Sequence, residues 1–240
     1  MESANAAGTG IDAARTQKAT RPLTPERTTE IVIGALILTA TTSYLVGSAL
    51  IDSAVDQESL SNPNETQLVT GALLEFVNAA AVVGIGVLLF PILRRYREGM
   101  ALGYAATRII ESALLLVSAL FVLVLLPLNE AADAAQLQET GTLALEGYDV
   151  AFQLAEIALG AGSLLFMYIL YAFRLVPRAL SLLGFVGYVA LFASGWLEIA
   201  GHSAALLYIP GGLFELIFPL WLIFRGFNAP AVTTRSADGT

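Results

Sequence analysis

Residues 69–127 read VTGALLEFVNAAAVVGIGVLLFPILRRYREGMALGYAATRIIESALLLVSALFVLVLLP, and the class of fold follows from this stretch. Two apolar blocks, 69–93 and 101–127, flank a short basic turn. Each is long enough to cross a hydrocarbon core about 30 Å thick at about 1.5 Å per helical residue. Lipid cannot satisfy a free backbone N–H or C=O group, so blocks of this kind cross as α-helices. The stretch therefore reads as a transmembrane helical hairpin.

Four more blocks of similar character lie at 30–51, 149–173, 180–202 and 206–227, which makes six spans. Composition agrees. Of the 240 residues 56% are hydrophobic and 13% charged, with a mean hydropathy of +0.72, whereas a soluble domain carries roughly 25% charged residues. The expected fold is all-α, a six-helix transmembrane bundle over 29–228, with a disordered cytoplasmic tail at 1–28 and a second cytoplasmic tail at 229–240. Thr24, Pro25 and Glu26 form an N-cap, a first-turn proline and a first-turn acid, so the first helix is expected to start there. Cysteine is absent, which excludes disulfides, thiol catalysis and thiolate metal ligands. Asn64-Glu65-Thr66 matches a glycosylation sequon and is read as a chance match.

Orientation follows from the twelve Lys and Arg residues, which cytoplasmic loops retain. Arg15, Lys18, Arg21 and Arg27 precede the first span. Arg94, Arg95 and Arg97 separate the second from the third, Arg174 and Arg178 the fourth from the fifth, and Arg225 and Arg235 follow the sixth. The connections 52–68, 128–148 and 203–205 contain neither residue, so they face outward and both termini face the cytoplasm. This predicts a multi-pass protein of the cell membrane. The outward connections are acidic, as is the chain with its net charge of -8. That balance repels nucleic acid and reads otherwise as an ordinary solvated surface.

Arg108 remains, well inside the third span, with Glu111 at i+3 on the same helical face. Glu75, Glu156, Glu198 and Glu215 also stand within spans and, counted from the outer edge of each, lie in its outer half. An ionisable group in lipid costs several kcal/mol unless it is neutral, paired or shielded, so such residues mark a pathway or a site. The expected site is a polar, outward-facing cavity lined by Glu75, Glu156, Glu198 and Glu215, with Asn78 nearby and Arg108 and Glu111 paired closer to the midplane. His202, the one histidine, falls one turn beyond Glu198, and the two are candidate ligands for a divalent metal such as Zn or Mn. Pro210, Gly211, Gly212 and Pro219 predict irregular backbone around Glu215. Gly84 and Gly86 in the second span, Gly160 and Gly162 in the fourth, and Gly184, Gly187 and Gly195 in the fifth mark faces where helices are expected to approach closely. A faint parallel repeat sets Glu75 with Glu156, Arg97 with Arg178 and Gly103 with Gly184, each pair at the same offset.

Leu102-Gly103-Tyr104, then Arg108-Ile-Ile-Glu111, then Pro210-Gly-Gly-Leu-Phe-Glu215 followed by Pro219-Leu-Trp221-Leu and Gly226-Phe227, form an ordered set. Over about residues 28–228 the chain resembles the six-helix prokaryotic integral-membrane family named as a domain of unknown function, DUF4386. The resemblance implies a fold and a membrane address, and no activity. Three functions remain open from the residues: transport or binding of protons, a cation or a small polar solute; an intramembrane enzyme using Glu198 and His202 on a lipid-like substrate; or a structural or regulatory subunit whose acids fix helix registry. Oligomeric state is not legible.

Overall fold

The computed structural model describes residues 24–55, 64–131 and 134–228. The expected tails lie outside these residues, except that 24–28 already belong to the first helix and its cap. Among the described residues the chain is all-helical. The elements are α1 (Pro25–Ala54), α2 (Glu65–Ala131), α3 (Ala134–Ala172), α4 (Arg178–Ile199), a 3-10 turn (Ala205–Leu207) and α5 (Tyr208–Phe224). All five helices are long and apolar enough to cross a membrane.

Thr24 caps α1 as its sequence requires: its side chain accepts from the Arg27 amide at 3.3 Å, with Pro25 in the first turn. Asn64, the residue of the sequon, caps α2 in the same way, its Oδ1 accepting from the Gln67 amide at 3.2 Å. The 67-residue α2 is broken at Arg97, where φ is -151° and ψ 93°. Its two arms fold back on each other. The Ser112 hydroxyl donates to the Ala79 carbonyl at 2.9 Å, and a Cβ added to Gly86 would lie 2.9 Å from that of Arg108. The basic turn read from sequence is thus one non-helical residue between two antiparallel arms.

Two helix ends depart from expectation. The connection 128–148 was read as a loop, yet α2 runs to Ala131 and α3 begins at Ala134. Hydropathy locates the bilayer and not the helix end, and Ala134, Ala135, Gln136, Leu137 and Gln138 are strong helix formers in water as well. The fifth span was drawn to 202, but α4 ends at Ile199. There the Gly201 amide donates to the Glu198 carbonyl and the His202 amide to the Leu197 carbonyl, both at 2.9 Å, with φ of 80° at Gly201. This is a Schellman closure, and glycine adopts its left-handed position without a Cβ clash.

Small residues set the helix neighbours, because backbones approach only where no side chain intervenes. Gly47 and Gly71 join α1 to the first arm of α2, and Gly160 meets the Phe192 backbone between α3 and α4. Gly187 meets Gly211 between α4 and α5, and Gly34 meets the Pro219 carbonyl between α5 and α1. The Ser118 hydroxyl donates to the Tyr148 carbonyl, joining the second arm of α2 to α3. The ring is closed. Its outward faces carry Leu73, Leu102, Leu120, Val186 and Trp196, more than half exposed. Such a surface suits the hydrocarbon around a multi-pass membrane protein, where water would not tolerate it.

At the end bearing the basic residues, Arg27 reaches the carbonyls of Leu222 and Ile223 and pairs with Glu30 at 3.0 Å. Glu30 in turn accepts from the Phe227 amide, and Asn228 bonds the carbonyls of Arg174 and Leu175. The guanidinium thereby gives a donor to the Ile223 carbonyl and a second one to the Leu222 carbonyl, which also accepts from the Gly226 amide at 3.1 Å, at the negative end of the α5 dipole.

Candidate functional site

A cavity of about 550 Å³ lies inside the ring, lined from α1, both arms of α2, α3, α4 and α5. Its wall is mostly apolar, with ten polar side chains among twenty-seven lining residues, the balance usual for a pocket that takes an organic molecule. Each helix contributes one face. On α1, Ile37, Ala40, Thr41 and Tyr44 follow the i, i+3, i+4, i+7 spacing of a single stripe. On α5, Tyr208, Gly212 and Glu215 do the same.

Of the sequence-predicted site residues, the wall includes Asn78, Arg108, Glu111, Glu156 and Glu215. Arg108 and Glu111 are both buried, and Nη1 lies 2.9 Å from Oε2. The pair is ionic by distance but poorly aligned, so Arg108 Nε and Glu111 Oε2 have no directed hydrogen bond among the described residues. Glu156 presents a buried Oε2 with no hydrogen-bond partner among the described residues. Glu215 accepts from the Thr41 hydroxyl at 3.3 Å. Pro219 stands inside α5 four residues beyond Glu215, and without an N–H it cannot close onto the Glu215 carbonyl.

Glu75, Glu198 and His202 are not part of this wall. Glu75 is 2% exposed, with neither carboxyl oxygen hydrogen-bonded among the described residues, and one of them faces Gly47. It sits between the cavity and a second apolar cluster of Ile51, Ala54, Leu68, Ala72, Val122, Leu125, Ala144 and Tyr148. Along α1, both arms of α2 and α3, these residues lie one to several turns beyond Tyr44, Asn78, Leu115 and Phe152, toward the end away from the basic residues. The cluster lies between those helices on the side of the cavity away from the basic residues. Glu198 accepts from the Tyr208 hydroxyl at 2.9 Å. His202 is exposed in the turn after α4, so the helical i, i+4 stacking expected of the two does not apply. Among the described residues no three His, Cys, Asp or Glu side chains gather as a metal site would need.

Thr41, Tyr44, Tyr188 and Tyr208 also line the cavity and were not singled out from sequence; Tyr104, named there only in the family resemblance, lines it as well. Ionisable groups are conspicuous in apolar spans; hydroxyls are not, since they lie in lipid at lower cost. The stripe through Thr41 and Tyr44 was the available signal. Tyr44 stacks on Phe152 with ring centroids 4.9 Å apart, bridging α1 and α3 across the bundle.

Residues 32–226 match the model of the family described as Domain of unknown function (DUF4386). The chain belongs to this family. Among curated proteins and among solved structures, nothing matches it. The DUF4386 region begins within α1 and ends at Gly226, whose φ of 74° closes α5. It contains every residue of the cavity wall, and that wall includes Tyr104, Arg108, Glu111 and Gly212 to Glu215, on which the sequence resemblance rested.

Proposed function

We propose that this DUF4386 protein crosses the cell membrane six times, with both termini in the cytoplasm, and uses its cavity to bind or pass protons, a cation or a small polar solute. The sixth crossing comes from reading the two arms of α2 as separate spans, each apolar and packed antiparallel. The orientation rests on the basic residues, which gather at the Arg97 break, at the turn between α3 and α4, and at the end where Arg27 meets α5.

One observation carries the functional reading: Glu156 and Glu215 face one cavity in which Arg108, the one basic wall residue among the described residues, is already paired with Glu111. Two carboxyl groups are left for a ligand, and the buried Glu156 oxygen lacks a hydrogen-bond partner among the described residues. A buried acceptor without a partner is unfavourable by about 1–3 kcal/mol, which a proton or a cationic donor would offset. The enzyme reading uses Glu198 and His202, of which neither lines the cavity and His202 stands beyond the end of α4.

Purified protein in proteoliposomes, given an imposed proton or monovalent-cation gradient, tests the reading. Flux should fall about tenfold or more in Glu156→Gln and in Glu215→Gln. Flux equal to that of empty vesicles, or unchanged by both substitutions, rejects transport through these acids. Topology is checked separately with Gly99→Cys and Thr66→Cys in this cysteine-free chain. An impermeant maleimide should reach the first from the cytoplasmic side alone and the second from outside alone.

A further inference from the structure

The cavity has an opening, and its position bears on the ligand. At the Arg27 end α1 and α5 are held together, by Gly34 against the Pro219 carbonyl and by the Arg27 guanidinium on the last carbonyls of α5. Toward the other end each helix packs elsewhere. The outer half of α1 leans on α2 through Gly47 and Gly71, while the start of α5 leans on α4 through Gly211, Gly187 and Leu191. Among the described residues the 3-10 turn before α5 packs on α4 and α5 and not on α1.

Between the diverging halves, Leu45 of α1 and Ile209, Leu213 and Leu216 of α5 line the cavity and are at the same time about half exposed on the outside of the bundle, Leu45 at 58% and Ile209 at 55%. A side chain belongs to both surfaces only at the rim of an opening. This rim lies at hydrocarbon depth: Leu45 is about 8 Å from the midpoint of α1 at about 1.5 Å per residue, inside a half-core of about 15 Å. On the side of the cavity away from the basic residues, the second apolar cluster lies between α1, α2 and α3.

Resting on the acidic-cavity reading above, we infer that the ligand comes from within the bilayer between α1 and α5, and that it is a lipophilic ammonium compound, one cationic nitrogen carried on an alkyl chain. The head is set by Glu156 and Glu215, in a wall that also carries the aromatic rings of Tyr44, Phe152 and Phe214. The chain is set by the apolar remainder of the wall, Val82, Ile85, Leu115, Leu159 and Leu191 among it, and by a rim made of leucine and isoleucine. A hydrated ion uses none of that surface. An anionic head would meet two carboxyl groups and an arginine already occupied.

The test is equilibrium binding of radiolabelled dodecyltrimethylammonium to the full chain in lipid nanodiscs, with empty nanodiscs subtracted. Tetramethylammonium and dodecyl sulfate serve as the tailless and anionic comparisons. Saturable binding near one per chain is expected, weakened about tenfold or more by Glu156→Gln and by Glu215→Gln. Leu45→Trp and Leu213→Trp, which fill the rim from lipid-facing positions, should weaken it comparably. Leu213→Cys capped with benzyl maleimide after reconstitution should do the same on protein already folded. Tetramethylammonium binding as tightly, with no effect of the rim variants, would overturn lateral access and leave the acidic cavity standing. Dodecyl sulfate binding as tightly as the cation would overturn the ammonium head. Binding of neither cation would overturn this inference, while the acidic-cavity reading beneath it stands or falls by the proteoliposome flux of Glu156→Gln and Glu215→Gln.

Discussion

The Thr41 hydroxyl donates to Oε2 of Glu215 over 3.3 Å, tying α1 to α5 at the level of the cavity. On one side of this bond α1 packs on α2 at Gly47 and Gly71 and α5 on α4 at Gly211; on the other, α1 and α5 are pinned together at Gly34 and Arg27. Thr41→Val keeps the shape and removes the donor, leaving the carboxyl oxygen without a partner. A loss of about 1 kcal/mol is expected, with Thr41→Ser near neutral, measured by thermal unfolding in a fixed detergent.

Arg27 holds the opposite end. Arg27→Ala leaves the Ile223 carbonyl without its Arg27 donor, leaves the Leu222 carbonyl with the Gly226 amide alone, and takes the cation from Glu30. The expected cost is about 2–3 kcal/mol, since charge-assisted bonds exceed neutral ones. Hydrogen exchange should localise the loosening to residues 222–228. Uniform exchange through the bundle would contradict a local clasp.

Arg108 and Glu111 form the buried pair. Arg108→Met strands a buried carboxyl group and should cost about 3–5 kcal/mol, while Arg108→Met with Glu111→Leu should recover most of that, because a well-packed apolar pair often equals a buried ion pair. A double-mutant cycle on unfolding reads the coupling. Equal loss in the single and double variants would mean that packing, and not charge, dominates the site.

Two glycines of one region should respond oppositely. A Cβ on Gly187 would come within 2.8 Å of the Gly211 Cα and 3.0 Å of the Pro210 carbonyl, so Gly187→Ala drives α4 from α5 at about 1–3 kcal/mol. A Cβ on Gly212 meets nothing within 4 Å, and Gly212→Ala should be neutral or gain up to about 1 kcal/mol from helix propensity. The pair separates helix contact from helix formation in a single unfolding experiment.

The helices and their polar contents were legible because both signals are local. Apolar blocks long enough to span are visible in a window of twenty residues, and Thr24-Pro25-Glu26 marks the start of α1 through chemistry within one turn. The i, i+3 spacing of Arg108 and Glu111 places them on one face wherever the helix sits. Gly201 was an equally local stop signal, and drawing the span to 202 by hydropathy passed over it; so His202 was set one helical turn from Glu198 when it stands beyond the helix end. The helical stretch before 149 was lost because helix formers in water carry no bilayer signature.

Depth alone could not say which acids share a space. Glu75 and Glu156 stand at comparable depths in the two halves of the faint repeat, yet Glu156 faces the cavity and Glu75 is walled off between it and the outer apolar cluster. Residue order fixes how far along a helix a side chain lies, through the constant rise per residue, and which neighbours on that helix share its face. The rotation of each helix about its axis, and the splay between α1 and α5 that opens the cavity, depend on which glycines find partners on other helices. Those contacts are many residues apart in the chain, so only the folded bundle decides them.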